Sequence, residues 1–137
     1  MKEFELDPRL AGDTIHVTDL PLSRVLLMND KHYPWFILVP RQAGLTELHQ
    51  LDSEAQQQLQ AESNRLSLFL EAQFQPETLN VAALGNVVRQ LHIHHIARFT
   101  DDPCWPQPIW GKYPVQAYPA EQAQTLAQQC REFLLST

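Results

Sequence analysis

Between Gly85 and Arg98 the chain reads GNVVRQLHIHHIAR, and three of its six histidines, His92, His94 and His95, fall within four positions. Imidazole changes charge nearest neutral pH, so it serves as nucleophile, proton carrier or metal ligand. In an extended segment side chains alternate between faces. That alternation puts His92 and His94 together, roughly 6 to 7 Å apart along the strand, and turns His95 the other way. Two chemistries fit the pair. As a His-x-His it supplies two ligands to zinc or iron, but a metal site needs at least one more. The next side chain of that parity is Gln90, a poor ligand, and no Glu-x-x-His or Cys pair elsewhere completes a set. In phosphoryl chemistry, one imidazole attacks phosphorus while its neighbour holds the oxygens, and the labile phosphorus–nitrogen bond splits one hard displacement into two easier ones. His95 shares the parity of Leu91, Ile93 and Ala97 and reads as a packed or carbonyl-bonded ring. His16, His32 and His49 have no neighbours of matching chemistry and read as surface or satisfied side chains.

A sheet must position the pair. SRVLLMND (23 to 30) and PWFILVPR (34 to 41) are aliphatic runs that predict two strands, the second buried on both faces. NDKHYP between them favours a tight connection and so an antiparallel hairpin. TLNVAAL (78 to 84) and VVRQLHIHHIARF (87 to 99) predict two more strands joined through Gly85 and Asn86. On the latter, Val88, Gln90, His92, His94, Ile96 and Arg98 share a face.

Between the two pairs of strands, Ala55, Leu59, Leu66, Leu70 and Phe74 recur at helical spacing. Ser53 with Gln56 fits a capping box, Asp52 is a competing cap, and Pro76 ends the pattern. Residues 101 to 120 hold five prolines and two tryptophans and predict an irregular return. Ala123, Leu126, Ala127, Cys130 and Leu134 form the stripe of a C-terminal helix, with Cys130 a packing residue. Strands in hairpins with two separate helices predict an α+β domain, a helix covering one sheet face.

A chain of 137 residues suits a single domain spanning residues 1–137. Hydrophobic content of 44% with 19% charged residues belongs to folded, soluble proteins. A formal charge of −6 disfavours nucleic acid as a partner but leaves room for a small phosphorylated ligand. With no apolar run long enough to span a bilayer and no secretory signal in MKEFELDPRL, no membrane is expected and the cytoplasm is the default location. Cys104 and Cys130 do not suggest a disulfide framework.

GNVVRQLHIHHIAR resembles the signature of the histidine-triad (HIT) superfamily of nucleotide hydrolases and transferases, Gly-Gln-x-Val-x-His-x-His-x-His followed by apolar residues. Gly85, Val88, His92 and His94 match in register, Asn86 stands at the Gln position and Gln90 at the first histidine. LLMND, PWFILVPR and the long helix occupy the places of that family's paired strands and first helix, so the likeness covers residues 24 to 98. Trp35 stands where several relatives have a histidine, and the form is similar to bacterial members with a Gln-x-His-x-His triad.

The resemblance implies a HIT-like fold, an antiparallel sheet of about five strands with a long helix packed on it and a C-terminal helix. It implies a hydrolase or nucleotidyl transferase acting at the α-phosphate of a nucleotide conjugate, phosphoramidate or dinucleoside polyphosphate through a nucleotidyl-histidine. No cofactor or metal is expected. Position by position, His92 is the nucleophile and His94 contacts the phosphate, while Gln90 and Asn86 are donors and Asn80 joins the same cluster. Asn29 and Asp30 are candidates for the ribose or base pocket, and Arg98 for neutralising phosphate. A homodimer is implied, with the Trp105 to Trp110 segment lining the partner's site. The alternatives are a non-catalytic nucleotide-binding module of the same fold and a metal-binding His-x-His protein.

Overall fold

The computed structural model describes residues 3–136. A short helix α1 (Pro8–Asp13) leads into strands β1 (Thr14–Asp19), β2 (Ser23–Met28) and β3 (Trp35–Pro40). After a 3-10 turn (Leu48–Gln50) come the long helix α2 (Ser53–Phe74), β4 (Thr78–Ala82), β5 (Ile93–Arg98) and α3 (Ala120–Leu135). The strands form one antiparallel sheet in the order β1-β2-β3-β5-β4. The histidine strand β5 therefore lies inside the sheet, with Ile37 of β3 opposite His94 and Phe36 opposite His95.

Strand β3 is buried at every position because both faces of the sheet are covered. On one face Val25, Leu27, Phe36, Leu38, Ile93 and Ala97 pack under α2 and α3. Phe69 of α2 meets Phe36 edge to face at 5.6 Å, the favoured aromatic geometry. The stripe expected on α3 is buried in full, and Cys130 is fully enclosed. On α2, Leu59, Leu66 and Leu70 are buried as expected, joined by Phe69 and Glu62. Glu62 accepts the Leu22 and Ser23 amides and so ties α2 to the turn before β2. The opposite face holds Leu26, Trp35, Ile37, Val39 and Ile96, covered by the N-terminal segment through Phe4, Leu6 and Leu10 and by Ile109 of the proline-rich return.

Several local expectations need correction. Strand β5 starts at Ile93, not at residue 87, because the β4 ladder ends where Ala82 meets His94 and Leu91 gives its amide to the Leu45 carbonyl instead. Residues 83–92 form a loop that turns at Gly85, whose φ of 72° suits glycine. Asp52, not Ser53, caps α2 by accepting the Ala55 amide at 2.8 Å. Helix α1 and strand β1 were not expected. Asp7 caps α1 with Pro8 at its first turn, while TIHVTD is a half-exposed edge strand with a bulge between His16 and Thr18 and so lacks a clean alternation. Among the described residues no helix is long and apolar enough to cross a membrane.

Candidate active site

His92 sits one residue before β5 and His94 is its second residue. Their rings are 4.8 Å apart, centroid to centroid, on the face away from α2 and α3. The Gln90 carbonyl lies 2.7 Å from His92 Nδ1, and since a carbonyl only accepts, Nδ1 carries the proton and Nε2 keeps a lone pair. His94 is held in the opposite sense. The Trp35 indole N–H donates to its Nδ1 at 2.9 Å, so the neutral ring carries its proton on Nε2. Burial pushes the His94 pKa down to about 3, with the neighbouring His92 and His95 adding to the effect. The pair thus presents a nucleophilic nitrogen beside a neutral N–H donor.

His95 points the other way. It donates from Nδ1 to the Ile93 carbonyl at 3.1 Å, and its Nε2 lies 2.7 Å from the Ser63 hydroxyl on α2, which donates to it. Burial pushes its pKa down to about 4.

The pair opens onto a cleft of about 390 Å³, within the range of small-molecule sites. Trp35, Ile37, Met28 and Trp110 give it apolar walls, and the Trp110 ring lies 5.3 Å from His94. The loop from Leu84 to Val88 forms one rim, bringing Asn86 to the cleft. Helix α1 forms another with Arg9, Leu10 and Asp13, and Arg9 is the only Lys or Arg among the lining residues. A smaller cleft of about 290 Å³ meets the first at Leu84, Gly85 and His92.

Other site residues expected from the sequence lie elsewhere. The Gln90 carboxamide is turned onto the N-terminal segment, accepting the Asp7 amide and donating to the Glu5 carbonyl, both at 2.9 Å. Pleat parity does not govern it because residue 90 lies in the loop; it touches His92 through its backbone carbonyl. Arg98 is buried and forks onto Asp102 at 2.7 and 3.1 Å, with further bonds to the Asn80 side chain and the Gln107 carbonyl. Burial raises the Asp102 carboxyl, but the hydrogen bonds and charge of Arg98 outweigh it and hold the group below the usual carboxylate range. Arg98 and Asn80 therefore fasten the return after β5.

Asn29 and Asp30 fasten the same return further on. Asn29 accepts the Tyr118 amide, and the buried Asp30 carboxylate accepts the Gln116 and His32 amides. Trp110 lines its own chain's cleft, and Trp105 lies 5.7 Å from the Arg98 guanidinium. Sequence reading missed the α1 rim, although Asp7-Pro8 is a helix-start signal. It also missed Trp35 as the partner of His94, a contact between β3 and β5 that no local spacing announces. Among the described residues no three His, Cys, Asp or Glu side chains gather as a metal site.

The HIT domain profile matches residues 11–101. A histidine triad protein from Bradyrhizobium japonicum superimposes with a TM-score of 0.94 at 43% identity, covering 97% of this chain and 99% of its own. One from Marinobacter aquaeolei VT8 gives 0.94 at 46% identity, covering 97% of each chain. A third, from Sinorhizobium meliloti 1021, gives 0.92 at 42% identity over 94% of this chain and 96% of its own. No curated protein is matched by the sequence. The chain belongs to the HIT family, and its α+β fold is that of the family's nucleotide-binding and hydrolase members.

Proposed function

We propose that the chain is a nucleotide hydrolase or nucleotidyl transferase working at an α-phosphate in the His92–His94 cleft. One observation carries this reading: the Gln90 carbonyl holds the Nδ1 proton of His92, leaving the Nε2 lone pair beside the His94 N–H in a cleft of nucleotide-binding size. In the first step His92 Nε2 forms a bond to phosphorus and the bond to the leaving group breaks, its electron pair departing with that group. In the second, water adds to phosphorus, the phosphorus–nitrogen pair returns to Nε2, and the extra proton of water passes to solvent. His94 Nε2–H and the Asn86 amide aim donors at the phosphoryl oxygens, so catalysis rests on positioning and fixed dipoles. Apolar walls at Trp35, Ile37 and Trp110 suit a base or ribose.

The net charge of −6 and a single lining cation favour a small nucleotide over nucleic acid or an anionic membrane surface. The partner is a second copy of the chain at the open β4 edge. There Val81 is half exposed and lines a groove with Leu48, Leu59 and Ile93. The experiment is turnover of adenosine-5′-phosphoramidate, dinucleoside polyphosphates and AMP esters by wild type and His92→Ala. Turnover by the wild type alone is expected. Equal turnover by both sinks the enzyme reading, and ligand-induced stabilisation without turnover converts it to a binding module.

A further inference from the structure

Three candidates stand outside this reading. The Ser63–His95 pair borders a groove of about 500 Å³, but an imidazolium at His95 would be fully buried with no carboxylate against it among the described residues. Cys104 near Arg98 is a single thiol with no ligand to suggest a site. The bond between Trp35 and His94 goes further.

We propose that Trp35 is a specificity-determining residue. By donating its indole N–H to Nδ1 it keeps His94 a neutral Nε2–H donor with no acidic proton to hand on, so the cleft cleaves conjugates whose leaving group departs as a stable anion. A phosphate or carboxylate leaves in that way; an amine or alkoxide needs a proton. This rests on the nucleotidyl-transfer reading above.

The geometry supports it at four points. Trp35 is buried on β3, which lies between β2 and β5, and its indole N–H is spent on His94 Nδ1 at 2.9 Å. Protonating Nδ1 would set two N–H groups against each other, and burial already disfavours the imidazolium. The Gln90 amide carries no acidic proton and is tied to the N-terminal segment. Arg9 supplies a cation on the rim, suited to an anionic group leaving the phosphorus. The ionisable groups around His94 are His92 beside it, His95 across the sheet, and Arg9 and Asp13 on the α1 rim.

For an anhydride, the step balances without an acid. Nε2 of His92 bonds to phosphorus, the bridging P–O bond breaks, and its pair stays on the departing oxygen. For a phosphoramidate the nitrogen must gain a proton, which neither the neutral His94 nor the Gln90 amide supplies.

The test has two parts. Long-range ¹⁵N NMR of the wild type should find His94 protonated on Nε2 alone from about pH 5 to 8, a range in which an ordinary histidine titrates. The Nδ1–H form, or an imidazolium in that range, would overturn the proposal without any variant being made. Turnover is then compared between an adenylyl anhydride and adenosine-5′-phosphoramidate. Wild type should favour the anhydride in kcat/KM by about 100-fold or more, the value of a missing general acid. Trp35→Phe, which keeps the packing and drops the N–H, should narrow that ratio by about 10-fold and add an acid-dependent limb to the phosphoramidate pH profile. An unchanged ratio, or a ratio that collapses in Asp13→Asn, overturns the role of Trp35. No turnover of either compound by a wild type with the expected tautomer sinks the hydrolase reading, and the selectivity with it.

Discussion

His94 and His95 are adjacent in one strand, yet the two faces of the sheet make different groups of them. His95 faces α2, where the Ile93 carbonyl and the Ser63 hydroxyl occupy both ring nitrogens. His94 faces the cleft, where Trp35 occupies Nδ1 and Nε2 has no partner among the described residues. His92 repeats that pattern with its own Nε2. The helix-covered face satisfies its polar atoms within the fold, as a stable core requires. The cleft face fixes each ring through one nitrogen and leaves the other for chemistry. The proposed nucleotidyl transfer would need rings that are immobile but not spent, which the cleft face offers and the helix face does not.

Four perturbations would break or sharpen this contrast. The largest effect belongs to the cleft: His92→Ala should lower turnover at least about 10³-fold, as loss of a nucleophile does, while leaving the thermal midpoint within a few degrees. Steady-state kinetics with a melting curve on the same sample checks both. On the helix face the converse holds. Phe69→Ala removes a ring packed on Phe36 and should cost about 3–5 kcal/mol in denaturant unfolding.

A pH effect on stability comes third, and its sign follows from His95. Folding lowers its pKa from 6.5 to about 4, so the unfolded chain binds the proton more tightly. The part of the stability that His95 contributes is full above pH 6.5 and is lost as the pH falls towards 4. His94, pushed down to about 3, adds a loss of the same sign that continues to lower pH. The His95 share of the loss is on the order of 3 kcal/mol, and His95→Gln should remove that share and leave the part due to His94. The smallest effect is Gln90→Ala, which frees the N-terminal segment for about 1 kcal/mol. Faster hydrogen exchange at the Asp7 amide, with α2 amides unchanged, is the expected signature.

Much of this organisation was legible in the sequence. The β2–β3 hairpin, the long helix and the full α3 stripe follow from hydrophobic period and prolines, and the division of His94 from His95 follows from strand parity. What escaped was set by contacts distant in sequence. Gln90 lies in a loop whose course depends on Leu45 and the N-terminal segment, so strand parity assigned its side chain to the wrong place. Arg98 was read as a free cation because Asp102, Asn80 and Gln107 converge on it only in three dimensions. Asn29 and Asp30 were read as ligand groups because nothing local reveals that the chain returns to them at residues 116–118. Edge strand β1 was lost to its own irregular alternation.

Covalent trapping tests the central assignment most directly. The protein is mixed with a labelled adenylyl anhydride, quenched in base, digested and examined by mass spectrometry. A nucleotidyl group on the peptide containing His92, stable in base, released by acid and absent from His92→Ala, is the expected result. Turnover with no label on that peptide, or a label that survives in His92→Ala, would contradict nucleophilic attack by His92.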